Sequence, residues 1–128
     1  MAYVDGFVVP VPDGARDEYL ALARRFAQVA REHGALEVVE CWGDDVPDGK
    51  LTDFRRSVQA GPGETVVFSW ILWPSREARD AGNRAVMADP RLPQSPEAMP
   101  FDAKRMIWGG FAVAVRERAG ESADDTPR

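Results

Sequence analysis

Residues 64–73, which read ETVVFSWILW, decide the fold of this chain. The run is rich in β-branched and aromatic residues, and it is bounded by Gly-Pro-Gly at 61–63 and by Pro74, a pattern typical of a β-strand. Successive side chains of a strand point to opposite faces. Both sets are apolar here: one comprises Val66, Phe68, Trp70 and Leu72, and the other Val67, Ile71 and Trp73. A strand of this composition needs cover on both faces.

The other elements follow from hydrophobic periodicity on either side of this strand. Apolar residues at helical spacing predict a helix that Gly34 closes, and Ser75 is a suitable cap for a second helix that ends before Pro90. The predicted elements in chain order are a strand at 3–9, a helix at 15–33 with Asp13 as its cap, strands at 36–42 and 64–73, a helix at 75–88 and a last strand at 104–115.

This order, βαββαβ, is the split βαβ arrangement of ferredoxin-like domains. We predict an α+β fold with a four-stranded antiparallel sheet and two helices on one face, because right-handed crossovers bring both helices to the same side. The first strand is also apolar on both faces, with Tyr3 and Phe7 opposite Val4 and Val8. The face without helices would be a larger apolar patch than monomers usually expose. A second copy of the sheet is the simplest cover, which predicts a homodimer of the dimeric α/β-barrel type.

Length and composition are those of a single globular domain. The 128 residues include 16 basic and 21 acidic side chains, and the formal charge of -5 argues against nucleic-acid binding. No apolar run reaches the roughly 20 residues needed to cross a bilayer. The single cysteine excludes an internal disulfide, and the first residues lack the basic region of a signal peptide, so we expect a cytoplasmic protein without membrane contact. The domain is expected to span residues 1–115, followed by a disordered polar tail at 116–128.

The stretch at 39–57, VECWGDDVPDGKLTDFRRS, concentrates charged residues between Trp42 and Phe54. Its charged members after Glu40 are Asp44, Asp45, Asp48, Lys50, Asp53, Arg55 and Arg56. Carboxylates are ligands that calcium and magnesium accept, but the spacing lacks the alternating pattern of an EF-hand loop. Turn formation by Asp and Gly explains the same residues, and we expect no metal and no other cofactor. A short helical turn is predicted at 54–59, capped by Thr52 or Asp53.

Four segments of the chain carry a family resemblance. They are YVDGFVVPVP at 3–12, VVECWGDDVPDGKLTDFRRSVQA at 38–60, ETVVFSWILWPS at 64–75 and MPFDAKRMIWGGF at 99–111. Together they resemble the DUF1428 family of YbaA-like proteins over about residues 1–112. The resemblance implies the dimeric α/β-barrel superfamily, in agreement with the predicted topology. That family has no established activity, and the wider superfamily includes monooxygenases, muconolactone-type isomerases and binding proteins, so the resemblance implies a fold rather than a reaction.

Asp5 and Glu40 are the candidate catalytic residues. Each lies within a predicted strand between apolar residues of the same face, where an unpaired carboxylate is costly, so each needs a counter-charge or a shifted pKa. The available counter-charges are Arg55, Arg56, Lys104 and Arg105. A structural ion pair and an acid–base group that lines a pocket both account for this placement. Because Val39 and Cys41 are small enough to lie beneath a helix, Glu40 is predicted to face the barrel interior and to meet one of the loop arginines.

Two classes of function fit these observations. The first is a small enzyme of the isomerase or cofactor-free oxygenase type, which acts on an apolar or aromatic molecule in the barrel cleft with Glu40 or Asp5 as base. The second is a module without turnover that binds a ligand or a protein partner through the charged loop at 43–56. Trp70 is expected in the core. The residues expected to contact a ligand are Trp42, Asp44, Asp45, Arg55, Arg56, Trp73, Lys104, Arg105 and Trp108. An enclosed apolar pocket with convergent polar groups would favour the enzyme, and a loop on the free surface would favour the module.

Overall fold

A computed structural model of the chain describes residues 1–120. These residues form, in chain order, β1 (Tyr3–Pro12), α1 (Arg16–Glu32), β2 (Glu37–Trp42), α2 (Phe54–Ser57), β3 (Glu64–Trp73), α3 (Arg76–Met87) and β4 (Ile107–Ala112). Short 3₁₀ turns lie at Asp13–Ala15, Pro96–Ala98 and Ala103–Arg105. None of the described helices has the length and apolar character that a membrane span requires.

The four strands form one antiparallel sheet in the order β2-β3-β1-β4. β1 and β3 pair at the centre, from Tyr3 opposite Trp73 to Pro12 opposite Glu64, and β2 and β4 lie at the two edges. Residues of α1 and α3 pack against the same side of β3, so the two long helices cover one face. This is the ferredoxin-like βαββαβ arrangement, and the predicted fold class is confirmed.

The main core lies between the sheet and the two long helices. Ala30 of α1 and Val86 of α3 pack with Ile71 and Trp73 of β3, and the side chain of Trp73 is fully buried. α3 approaches this indole so closely that a Cβ on Gly82 would overlap the ring. The glycine therefore allows α3 to lie directly on the tryptophan.

The opposite face of the sheet, which we call the open face, has no long helix over it. Its central residues are Val4, Gly6, Val8, Val39, Cys41, Val66, Phe68, Trp70, Leu72, Ile107, Gly109 and Phe111. One corner is covered by the segment after α2, where Val58 is buried against Val8 and Val66. Elsewhere large apolar side chains are exposed, with Phe68 at 43% and Phe111 at 62%. The expectation of a face that the chain itself leaves bare therefore holds except at this corner.

The ends of β1 and α1 differ in part from the prediction. β1 continues through Pro10, because β4 extends along it only to Val8 and a proline is tolerated where one side of a strand is free. Asp13 does not cap α1; its carboxylate instead accepts a hydrogen bond of 2.5 Å from the Thr65 hydroxyl. Gly34 has a positive φ of 109° and ends the helix region as predicted.

β4 begins at Ile107 rather than at residue 104. The carboxylate of Asp102 accepts a hydrogen bond of 3.0 Å from the backbone N–H of Lys104 and so caps a 3₁₀ turn. Lys104 and Arg105 therefore precede the strand instead of lying on it.

At α3, Ser75 accepts a hydrogen bond from the backbone N–H of Ala78, which confirms the predicted cap. Beyond β4, residues 113–118 form no helix or strand. The predicted tail at 116–128 falls mostly on residues 121–128, which lie outside the described residues.

Candidate functional site

Asp5 is completely buried beneath α3, on the helix side of the sheet. Its carboxylate forms an ion pair of 2.9 Å with Arg79 and accepts hydrogen bonds from the Trp73 indole at 3.1 Å and the Asn83 amide at 3.3 Å. The hydrogen bond to Asp5 raises the pKa of Arg79, whose guanidinium lies 5.1 Å from the centre of the Tyr3 ring. The prediction that an arginine of the loop, Lys104 or Arg105 pairs with Asp5 is wrong, because the cation bound to its carboxylate is Arg79 of α3.

Glu40 also lies on the helix side, beneath α1. The Tyr19 hydroxyl donates a hydrogen bond of 2.6 Å to its carboxylate, and Ser69 is its partner across the β2–β3 ladder. Burial raises the pKa of Glu40, while the hydrogen bonds from Tyr19 and Ser69 act in the opposite direction. Burial and the nearby carboxylate also raise the pKa of the Tyr19 phenol well above its ordinary value.

The predicted orientation of Glu40 toward the barrel interior is therefore wrong. Val39 and Cys41 take the open face, and Glu40 points the other way. The Tyr19 hydroxyl of α1 donates a hydrogen bond to the Glu40 carboxylate beneath the helix, so this carboxylate is stabilised without an arginine of the loop.

The two candidate catalytic carboxylates do not come together. They lie on the same face, but β3 separates β1 from β2, and the spacing of strands and residues puts them roughly 12 Å apart. Trp42 lies on the same face of β2 as Glu40 and beside Tyr19, with ring centres 6.4 Å apart. The guanidinium of Arg16 lies 5.3 Å from the centre of the Trp42 ring. Each carboxylate thus belongs to its own helix–sheet contact.

The charged loop is folded around Asp53 and Arg56. The Asp53 carboxylate accepts hydrogen bonds from the backbone N–H groups of Gly49 at 3.1 Å and Arg56 at 2.7 Å. The Arg56 guanidinium bonds to Asp53 at 2.9 Å and donates to the carbonyls of Gly49, Lys50 and Leu51. The predicted cap at Asp53 is confirmed, and turn chemistry accounts for these residues.

The other carboxylates of this loop, on Asp44, Asp45 and Asp48, belong to exposed residues. Among residues 1–120, no three acidic, histidine or cysteine side chains are grouped so as to hold a metal ion.

Arg55 and Arg105 meet at Glu64, where β3 begins. Arg55 donates to the carbonyls of Gly61 and Glu64, at 2.9 Å each. Arg105 binds both oxygens of the Glu64 carboxylate, at 2.7 and 2.8 Å, and lowers the pKa of Glu64 to about 2. These donors stabilise the turn before β3, while Lys104 remains exposed.

The predicted environments of Trp70 and Trp73 are reversed. Trp73 is in the core under α3, whereas Trp70 is half-buried on the open face, where its ring contacts Phe68 with centroids 5.6 Å apart. Trp108 is 61% exposed on β4 and lies on the side of the sheet opposite to the open face. Only Trp70 of these three can contribute to a surface between two sheets.

Sequence reasoning missed Arg79 and Tyr19, the direct partners of the two carboxylates. Arg79 lies three and seven positions before Gly82 and Val86, so helical periodicity puts it on the buried stripe of α3. Tyr19 lies on the apolar stripe of α1, and a buried phenol usually needs a hydrogen-bond partner. Both signals were present in the sequence, but neither specifies which strand residue lies opposite.

The fold and these contacts define a ferredoxin-like α+β protein in which the strand carboxylates of Asp5 and Glu40 are bonded to residues of the two long helices. The chain belongs to the family described as "Protein of unknown function (DUF1428)", whose model matches residues 2–103. The resemblance inferred from the sequence is thereby confirmed. No function is established for this family.

The similar proteins agree with this assignment. The chain is 56% identical over 117 residues to "Uncharacterized protein YbaA" of Escherichia coli strain K12, and equally to that of Shigella flexneri; the alignment covers 91% of this chain and 100% of each relative. Among solved structures it is similar to Rv0793 from Mycobacterium tuberculosis, with a TM-score of 0.53, 14% identity, and coverage of 92% of this chain and 100% of the other. At that identity the likeness concerns the fold alone.

Proposed function

We propose that this chain works as a homodimeric binding module, in which the open faces of two copies meet and enclose a small apolar or aromatic molecule. The observation that carries the proposal is the composition of the open face. Across the four described strands, its central residues are aliphatic, aromatic, glycine or Cys41, and the acidic residues Glu37 and Glu64 lie at its margins. An exposed surface of this kind marks an interaction site more often than a feature of a free monomer.

The shape of the open face also favours a second sheet as its partner. The Phe111 ring lies down over the paired glycines Gly6 and Gly109, since a Cβ on either would stand 3.8 or 3.4 Å from its edge. The absence of side chains there leaves a flat apolar surface beside Trp70. Two such sheets pack face to face at about 10 Å.

The charged loop suits a recognition role at the rim of this dimer. Asp44, Asp45 and Asp48 are exposed, and residues 49–56 of the loop are held by hydrogen bonds within the loop. A groove open to solvent lies elsewhere, between α1 and β2, and its lining includes neither Asp5 nor Glu40. These features support the module over the barrel-cleft enzyme.

Light scattering of the purified chain tests the dimer. We expect twice the chain mass of 14.1 kDa, and native mass spectrometry of the same sample tests for a retained apolar ligand. Phe111→Asp should give a folded monomer, because it puts a charge into the apolar contact between the two faces. Trp108→Asp is the matched control: it changes a side chain of nearly equal exposure on the same strand but on the opposite face, and it should leave the dimer intact. A wild-type chain that stays monomeric at high concentration would contradict the proposal.

A second candidate function, acid–base catalysis, is favoured by one observation. The described hydrogen bonds of the Glu40 carboxylate come from hydroxyl groups, and burial raises its pKa, as in many acid–base groups of enzymes. Its site would lie between α1 and β2 rather than inside a barrel. Loss of turnover in Glu40→Gln with an unchanged fold would support this function once a substrate is found.

A further inference from the structure

One charged segment of the chain carries two large apolar side chains, Leu51 and Phe54, that its own core does not bury. Residues 49–58, which we call the arm, leave the loop and return to the sheet at α2. Val58, at its end, is only 1% exposed and packs on the open face against Val8 and Val66. The Phe54 ring stands edge-on to Phe68 of the same face, with centroids 6.1 Å apart. The arm therefore rises on the side of the sheet where the second copy is proposed to lie.

The exposed end of the arm is both apolar and ordered. Leu51 is 95% exposed and Phe54 is 51% exposed. The backbone around Leu51 is nevertheless held by the Asp53 and Arg56 hydrogen bonds described above, including one of 3.1 Å from Arg56 to the Leu51 carbonyl. A side chain presented on a held backbone loses less conformational entropy when it binds. An apolar residue in this position is suited to bury itself in a contact outside its own chain.

The arm protrudes from one end of the open face, which we call the high end, and it leaves the other end, which we call the low end, without cover. It covers the end where β1 finishes and β3 begins, and it leaves the opposite end, with Val4, Leu72 and Phe111, uncovered. A two-fold axis in the plane of the sheets and perpendicular to the strands reverses the strand direction, so the high end of one copy faces the low end of the other. The surface is then complementary to itself, as a symmetric dimer requires.

The exposed aromatic area of the open face alone is smaller than the area that a stable dimer interface buries. At the usual size of aromatic side chains, the exposed parts of Phe68 and Phe111 amount to roughly 200 Å². A stable interface buries about 800 Å² from each partner. Ile107 is 46% exposed and adds to this area, whereas Val8 and Val66 are already buried, so the arm is a substantial apolar supplement on this side.

We propose that each arm packs Leu51 and Phe54 against the low end of the partner's open face, which makes the arm the part of the interface that fixes its register. This inference rests on the proposed homodimer and adds its main specific contact. Its occupant is a second copy of this chain.

Sedimentation equilibrium of the full chain and two variants tests the inference. Leu51→Ser should raise the dimer dissociation constant at least about tenfold, because one leucine side chain loses its burial in each copy. Met87→Ser is the matched control: Met87 is 77% exposed but lies on α3, on the far side of the sheet, so its dissociation constant should stay within about twofold of wild type.

The outcomes separate the inference from the proposal beneath it. If wild type dimerises and Leu51→Ser does so equally well, the arm is not in the interface, although the dimer stands. If wild type is a monomer at every concentration, the homodimer itself is wrong and the arm contact with it. A weakened dimer in both variants would also contradict a specific role for Leu51.

Discussion

Asp5 is the side chain whose burial is hardest to accommodate, because a carboxylate without solvent must be matched by an opposite charge. Arg79 meets that need at 2.9 Å, with 13% of its side chain exposed. Arg79→Met should lower the free energy of unfolding by about 3–5 kcal/mol, since it leaves Asp5 buried without its cation. Urea denaturation measures the change.

A second arginine of α3 gives the matched control. Arg76 pairs with Asp80 at 3.8 Å, and its side chain is 69% exposed. Arg76→Met should therefore change stability by less than about 0.5 kcal/mol. Equal losses in the two variants would mean that the pair beneath α3 is no more important than a surface contact.

These residues also mark the limit of sequence reasoning at this scale. A carboxylate among apolar strand residues predicts that Asp5 is paired, and that much is visible from the alternation of β1. The identity of the partner depends on which helix turn lies above it. Arginine side chains are mostly exposed, so the sequence alone does not single out Arg79 as that partner.

At the scale of elements, the hydrogen bond between Tyr19 and Glu40 joins α1 to β2. Burial raises the folded-state pKa of Glu40 above its ordinary value of 4.5. A carboxyl with a raised pKa stabilises the fold below about 4.5 and loses that contribution as the pH rises through its folded-state pKa. Glu40→Gln keeps an acceptor for the Tyr19 hydroxyl and cannot ionise. We expect the free energy of unfolding of Glu40→Gln to stay within about 1 kcal/mol of wild type. Relative to wild type, the variant should be more stable at pH 8 than at pH 4.5, because only wild type loses stability as the pH rises.

Urea titrations at both pH values measure this difference, and Glu37→Gln, on an exposed residue of the same strand, is the control. A loss of several kcal/mol in Glu40→Gln would indicate a cationic partner after all. The sequence predicted the type and order of every long element, with errors in the bounds of β1 and β4, but it assigned the wrong face to β2. Both faces of that strand mix small apolar and larger residues, so the alternation alone does not decide which of them meets a helix.

At the scale of the whole molecule, the two-faced apolar strands predicted both the sheet and its uncovered side. The sequence did not predict that the segment after α2 folds back over one corner of that side. That return depends on Val58, the buried apolar residue at the end of a charged stretch, and on the turn that Arg55 and Arg105 hold at the start of β3. Contacts of this kind join residues far apart in the sequence, so local hydrophobic periodicity does not predict them.

Coupling between folding and association gives the last prediction. If the open faces meet only in the folded dimer, dilution favours the unfolded monomer, so the melting temperature must depend on protein concentration. Over an about hundredfold range of concentration, we expect a rise on the order of 3–6 °C for a chain of this length. Phe111→Asp should melt at one temperature throughout, because its association is abolished, while Trp108→Asp should follow wild type. Differential scanning calorimetry measures all three. A wild-type melting temperature that does not change with protein concentration would mean that the folded monomer is stable with its open face exposed to water.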